Sequence, residues 1–376
     1  MKALNVMIKP ASSLCDLRCR YCFYSEEAES RCVRSYGVMT EDRAERIVEN
    51  VFSDLGAGDR VQFIFQGGEP TLAGLNFFES FTALVGERQG IGVSWALQTN
   101  GLSLDDAWCE FLKVHGFLVG LSLDLLPDAH DASRVDAAGR GSYRRVLDAL
   151  SLLRRHGVEY NVLCTLTGEV ARHPDAVWRQ VTSLGIDYVQ FTPCLGPLDG
   201  TRSPYALTPE RFASFYTRLF ALWYADFQAG RRRSVKLFDD IVNLLILGTP
   251  TACGMDGRCR GQLVIEANGD AYPCDFYCLD EWRLGNAAEE PPSRLLENDA
   301  MQRFLSRNKD TVSCSGCRYA RFCGGGCPRM EREVYAARDG VCGFQKFMDA
   351  CGGELFTLAK RARENYLQKH FQGGNR

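Results

Sequence analysis

Through about its first 230 residues the chain alternates short β-rich runs with longer stretches of helical periodicity, which restricts the fold more than any other feature. Candidate strands fall at 4–9, 61–65, 93–98, 117–123, 160–166 and 188–192, with candidate helices at 41–55, 75–88, 105–115, 142–156, 175–184 and 209–229. Several of these helices are preceded by Thr, Asp or Ser, whose side chains accept the N–H groups that a first helical turn leaves unpaired. Strands separated by helices pair in parallel, because a crossover connection needs the length that a helix provides. Six such units predict an α/β fold built on a partial (β/α)6 barrel. In that architecture chemistry collects on the loops at the C-terminal ends of the strands.

The chemically distinctive residues follow the strands. Cys15, Cys19 and Cys22 come after the first, Gly67, Gly68 and Glu69 after the second, Gln98 to Gly101 at the third, and Ser122 and Asp124 at the fourth. After Arg231, Arg232 and Arg233 the pattern turns cysteine-dense and glycine-rich, with a helix predicted from Gly343 towards His370. The domains are therefore expected at 1–235 and 236–376. The stretch 289–293 is expected to be an exposed loop. A formal net charge of -3 on 44 Lys plus Arg and 47 Asp plus Glu offers no electrostatic reason to bind nucleic acid or an anionic membrane. No secretion signal or span of eighteen apolar residues is legible, so a cytoplasmic location is expected.

Seventeen cysteines in such a chain ask for an explanation, since disulfides do not persist in reducing cytosol. Cys15, Cys19 and Cys22 stand three and then two residues apart, a spacing that lets one loop hold three corners of a cubane cluster and leaves the fourth iron open to a ligand. With Cys32 as a fourth ligand, the same loop could bind zinc. Cys253, Cys259, Cys274, Cys314, Cys317, Cys323, Cys327 and Cys342 form a second set, whose spacing also permits a pair of zinc ribbons. Of the remainder, Cys109 and Cys164 fall in periodic segments and read as small core residues, while Cys278 alone suggests a local function.

In FQGGEPTL, residues 65–72, two glycines permit close approach of backbone to a ligand, Glu69 offers a charged acceptor and Pro70 stiffens the turn. Together with the CxxxCxxC loop followed by Phe23, this segment resembles the radical S-adenosylmethionine (SAM) superfamily. LQTNG at 97–101 and GLSLD at 120–124 resemble further strand ends of its SAM pocket. The resemblance implies a cluster on Cys15, Cys19 and Cys22. It also implies SAM contacts from Tyr21, Phe23, Gly67, Gly68, Glu69, Gln98, Ser122, Asp124, Arg134 and Leu195. Glu69 would hold the SAM ammonium, Ser122 and Arg134 its carboxylate and ribose region, and Leu195 would lie near the adenine.

The late cysteines resemble the SPASM domain, a C-terminal extension of radical SAM enzymes that modify peptides and proteins. That likeness implies two auxiliary clusters, one on Cys253, Cys259, Cys274 and Cys327 and one on Cys314, Cys317, Cys323 and Cys342, and so three [4Fe–4S] clusters in all. IKPASSLCDLRCRYCFY, SYGVMT, FQGGEPTLAG, FLVGLSLD and CGMDGRCRGQLVIEANGDAYPCDFYCLDEWRLGN are similar to the anaerobic sulfatase-maturating enzymes. The implied reaction oxidises a Cys or Ser of a sulfatase polypeptide to Cα-formylglycine. A 5′-deoxyadenosyl radical abstracts a hydrogen atom, a base removes the side-chain proton, and an auxiliary cluster takes the second electron. Asp275 matches the family's general base, and the alternative is a turn-stabilising Asp. The implied partners are the sulfatase and a low-potential donor such as ferredoxin or flavodoxin. Leu125 and Leu126 stand where the family usually continues with Gly-Pro, so that loop is expected to differ in shape. Two other readings are a thioether-forming SPASM enzyme and a non-catalytic electron carrier.

Overall fold

The computed structural model describes residues 2–307, 314–335 and 342–371. By internal contact it forms two compact units: residues 1–123, 127–162 and 261–307 make one, and residues 124–126, 163–260 and 308–376 the other.

The first unit is organised around a sheet. Strands β1 (Ala3–Lys9), β2 (Arg60–Phe65), β3 (Gly92–Thr99) and β4 (Phe117–Ser122) lie side by side, and the pairs β1–β2, β2–β3 and β3–β4 are parallel. Strand β5 (Tyr160–Leu166) divides between the units at Val162, and β6 (Tyr188–Pro193) and β7 (Ser234–Val235) pair in parallel in the second. The predicted strands and long helices of this region all form, at nearly the expected positions. The reason is local patterning. In β2, Val61, Phe63 and Phe65 alternate onto the buried face, where Phe63 and Phe65 meet Trp95 and Phe81 at ring-centre distances of 5.2–6.4 Å. In helix Glu41–Ser53, Thr40 accepts the Arg43 N–H, and Ala44, Ile47, Val48 and Val51 form the buried stripe.

The cysteine-dense, glycine-rich region adds to the same sheet. Strand β8 (Leu263–Glu266) pairs in parallel with β1, and β9 (Asp270–Tyr272) and β10 (Gly285–Asn286) continue antiparallel beyond it. Their two to four residues are too few to show periodicity. The exposed loop expected at 289–293 is also corrected. Pro292 is buried and opens helix Pro292–Glu297, since its missing N–H costs nothing at a first helical position.

In the second unit, helix Pro209–Gln228, capped by Thr208, carries Phe212 and Tyr216 against Phe347 of helix Gly343–Phe371, which also meets Phe238 of helix Lys236–Leu247. Cys109 and Cys164 are fully buried, as small core residues would be. Among the described residues no helix is long and apolar enough to cross a membrane.

Candidate functional site

Beyond β1 the chain turns back on itself, with Ser12 N–H donating to the Lys9 carbonyl at 3.1 Å and Leu14 N–H to Ala11 at 3.0 Å, and then runs into the cysteine loop. The loop after β2 is hydrogen-bonded onto it: Gly68 N–H donates to Ser12 O at 2.9 Å and Glu69 N–H to Leu14 O at 2.7 Å. The approach is so close that a Cβ at Gly68 would lie 2.2 Å from the Leu14 carbonyl oxygen, which excludes every other residue. On the other side, Arg18 N–H donates to Val135 O at 2.6 Å and Arg20 N–H to Ser133 O at 3.0 Å. Between those two carbonyls Arg134, 8% exposed, sets its guanidinium 5.5 Å from the ring centre of Tyr21. The structure thus gathers Tyr21, Arg134, Gly67 and Gly68 around the three cysteines. Gln98 and Ser122 are half-buried at the ends of β3 and β4.

The thiols suit a metal cluster. Cys22 caps helix Phe23–Glu29, its sulfur accepting the Ser25 N–H at 3.4 Å, and the Leu17 N–H points at the Cys15 sulfur at the same distance. Such N–H···S bonds favour the thiolate that iron requires. Burial, with the nearby Glu69 and Asp16 charges, pushes the unligated Cys15 thiol up to about 12, so a thiolate here calls for a cationic partner.

The Glu69 carboxylate is 1% exposed and accepts four internal hydrogen bonds, from Thr71 N–H (3.1 Å), Thr71 Oγ1 (2.7 Å), Thr99 Oγ1 (2.7 Å) and Asn100 N–H (2.8 Å). Three of these fall on Oε1 and only the Asn100 N–H on Oε2, which therefore retains acceptor capacity. Glu69 ties the loop after β2 to the end of β3. Asp124, past the end of β4, accepts the Thr165 N–H at 2.8 Å. Leu125, at the departure from the family pattern, is fully buried.

The second unit brings the late cysteines into two neighbourhoods. Cys314, Cys317, Cys323 and Cys342 line one small cavity, together with Tyr319, Tyr335 and Phe344. The Cys323 thiol is pushed up to about 12 by burial and by the charges of Cys342, Cys314 and Cys317. Cys342 opens the last helix and accepts the Gln345 N–H at 3.4 Å. Burial and the charges of Cys327 and Cys259 push Cys253 up to about 11. Gly257 permits the crossing beside them: a Cβ there would lie 2.1 Å from Gly324 O. All seventeen cysteines are free of disulfides. Leu195 is half-buried beside Gly196. Glu333 takes the Gly196 N–H at 3.0 Å, and Arg329 donates to its carbonyl at 2.6 Å.

Cys274 and Asp275 belong to the first unit, on the turn after β9. The Asp275 carboxylate receives Lys9 Nζ on one oxygen and Gln66 Nε2 on the other, each at 2.5 Å. Lys9 ends β1 and Gln66 follows β2, so this pair sits at the strand ends where the fold places chemistry. Neither was singled out in the sequence, although a lysine closing the apolar strand ALNVMIK was a visible signal. Lys9 is 0% exposed and lies 3.8 Å over the ring of Tyr24, whose hydroxyl donates to buried Glu266. Burial disfavours the ammonium, but the charges of Asp275, Cys278 and Glu266 outweigh it and raise the Lys9 pKa. Arg31 pairs with Glu266 at 2.5 Å, and Glu27 is pushed up to about 9 by burial and the Asp275 charge, so it stays a neutral acid. Cys278, suspected from sequence of a local role, is fully buried with its thiol near the Cys274 and Asp275 carbonyls.

Because the Lys9–Asp275 pair is buried, removing one partner leaves a charge uncompensated. Lys9→Met is expected to destabilise the protein by about 3–5 kcal/mol, and Lys9→Met combined with Asp275→Asn by less. Equal melting temperatures for the single and double variants would contradict this.

The fold and the cysteine sets define a class: a radical SAM protein with an iron–sulfur extension. Residues 10–177 match the radical SAM superfamily, and residues 253–318 match SPASM, an iron–sulfur cluster-binding domain. The chain is 39% identical over 370 residues to the cysteine-type anaerobic sulfatase-maturating enzyme of Clostridium novyi (strain NT), covering 96% of this chain and 98% of that one. It therefore belongs to the anaerobic sulfatase-maturating enzymes. The serine-type enzyme of Klebsiella aerogenes is 31% identical, with 86% of this chain and 79% of that one covered. Among solved structures, native anSMEcpe with bound AdoMet matches with a TM-score of 0.87 at 35% identity, covering 95% of this chain and 99% of that one. Native anSMEcpe with bound AdoMet and Kp18Cys peptide also matches with a TM-score of 0.87 at 35% identity, covering 96% of this chain and 99% of that one.

Proposed function

We propose that this chain oxidises a cysteine of a sulfatase polypeptide to Cα-formylglycine, in the cytoplasm, drawing electrons from a ferredoxin or flavodoxin. In this reading residues 1–235 serve SAM and residues 236–376 the auxiliary clusters. Cys15, Cys19 and Cys22 hold the SAM-binding cluster, and Cys253, Cys259, Cys274, Cys314, Cys317, Cys323, Cys327 and Cys342 hold the other two. When bound, these groups supply a 5′-deoxyadenosyl radical and an electron sink. The chain's own contributions are binding, orientation and proton transfer. Gly67, Gly68 and Glu69 meet the SAM ammonium, Arg134 and Ser122 its carboxylate side, and Leu195 its adenine, with Tyr21, Phe23, Gln98 and Asp124 lining the pocket. Asp275 takes the side-chain proton of the target residue.

The observation that carries the reading is the buried Asp275 carboxylate, held between Lys9 and Gln66 beside the end of β1. Two fixed donors leave a carboxylate oriented and sheltered from bulk water, the condition for efficient proton transfer to a base. The greater identity to cysteine-type relatives, 39% against 31%, supports a cysteine target. The test is incubation of the reduced, reconstituted enzyme with SAM and peptides bearing a Cys-x-Pro-x-Arg or Ser-x-Pro-x-Arg motif, followed by mass spectrometry. An aldehyde at the cysteine is expected. Formation of 5′-deoxyadenosine with both peptides intact would remove the substrate assignment, and an aldehyde on the serine peptide alone would reverse the preference.

A further inference from the structure

We infer that His130 and Ser142 form a buried pair of positioning residues for Arg134, and through it for SAM. Ser142 immediately precedes helix Tyr143–His156, where a serine ordinarily caps the first turn, yet its side chain makes no capping bond. Asp131 performs that task instead, accepting the Tyr143 N–H at 2.7 Å. The Ser142 hydroxyl is diverted to the Arg134 carbonyl, to which it donates at 2.8 Å. With its hydrogen committed there, Ser142 Oγ accepts from His130 Nε2 at 3.0 Å, which assigns the proton to that ring nitrogen. The Arg134 N–H is held as well, by the backbone carbonyl of residue 130 at 2.7 Å in the last turn of helix Pro127–Ser133. Both His130 and Ser142 are 0% exposed, and the imidazole is packed edge-on against Tyr143 at 5.3 Å.

The consequence lies in the register. Ser133 and Val135 give their carbonyls to the cysteine loop at Arg20 and Arg18, while both backbone groups of Arg134 between them are held by His130 and Ser142. Four hydrogen bonds thus fix a three-residue segment, and the side chain at its centre is the guanidinium against Tyr21. A histidine serving only to fill space would not need a serine withdrawn from its helix cap. Loosening the pair frees Arg134 to move while leaving the thiols of the cluster loop in place. The inference rests on the proposed contact of Arg134 with SAM.

The experiment uses the anaerobically reconstituted holoenzyme and its variants His130→Leu, His130→Gln, Ser142→Ala and Arg134→Gln. Readouts are SAM affinity by equilibrium binding to the oxidised protein, iron content, and the change that SAM produces in the electron paramagnetic resonance of the reduced cluster. His130→Leu and Ser142→Ala are expected to weaken SAM binding about 10-fold and blunt the spectral change at unaltered iron content, because each leaves a buried partner unsatisfied. His130→Gln, whose amide N–H can reach Ser142, should recover affinity to within about twofold of the parent. Parental affinity in both His130→Leu and Ser142→Ala, with Arg134→Gln impaired, overturns the pair, as does a joint fall of iron content and affinity. Parental affinity in Arg134→Gln overturns instead the reading of Arg134 on which the pair depends.

Discussion

Asp275→Asn should lower aldehyde formation about 10²- to 10⁴-fold while 5′-deoxyadenosine continues to accumulate, the range associated with loss of a positioned general base. The amide matches the carboxylate in shape but cannot take a proton, so hydrogen abstraction from the target residue proceeds without completing the oxidation. It also presents only one acceptor oxygen where Lys9 and Gln66 require two. One of these donors is left without its partner, and the Lys9 ammonium loses its nearest counter-charge in a fully buried position. A lower melting temperature should accompany the uncoupling. The decisive measurement is the ratio of aldehyde to 5′-deoxyadenosine. A parental ratio in a folded, cluster-loaded variant would assign the proton transfer to another group and leave Asp275 as a structural turn residue.

Cys19→Ala is expected to abolish SAM cleavage outright, with loss of one cluster's share of iron and no aldehyde from any peptide. The loop offers no substitute thiol: Cys32 is exposed, with its backbone N–H bound to Asp280 at 2.8 Å. Two of three ligands do not hold a cubane cluster that leaves one iron open. The cavity lined by Cys314, Cys317, Cys323 and Cys342 should keep its iron in the same variant, since its four sulfurs belong to the second unit. Iron analysis with electron paramagnetic resonance separates the outcomes. Undiminished SAM cleavage at full iron content would refute the assignment of Cys15, Cys19 and Cys22.

The parts of the site that could be read in advance share one physical property, short range in sequence. Three cysteines within eight residues, the Gly67–Gly68–Glu69 loop directly after a strand, and six strands separated by periodic helices declare themselves through spacing alone. Asp275 was found because it follows a cluster-type cysteine within one motif. Lys9 and Gln66 were missed because nothing local joins them to Asp275, which is 266 and 209 residues away in the chain. Glu69 was legible from its motif, but its ties to Thr99 and Asn100 were not, since those donors lie at the end of another strand. Strand β8 was invisible for a related reason: its four residues are buried on both faces beside β1 and carry no alternation.

The sequence by itself determined the α/β class, the order of the strands and helices, the cysteine sets and the resemblance that named the family, because each is written in periodicity or spacing over a few tens of residues. Only the tertiary structure decided which charges face one another. It placed a lysine from β1 and a glutamine beyond β2 on an aspartate from the turn after β9, and it turned Ser142 from its helix cap to the Arg134 carbonyl. Burial makes those pairings matter, since a polar group withdrawn from water must find its partner within the protein, wherever in the chain that partner lies.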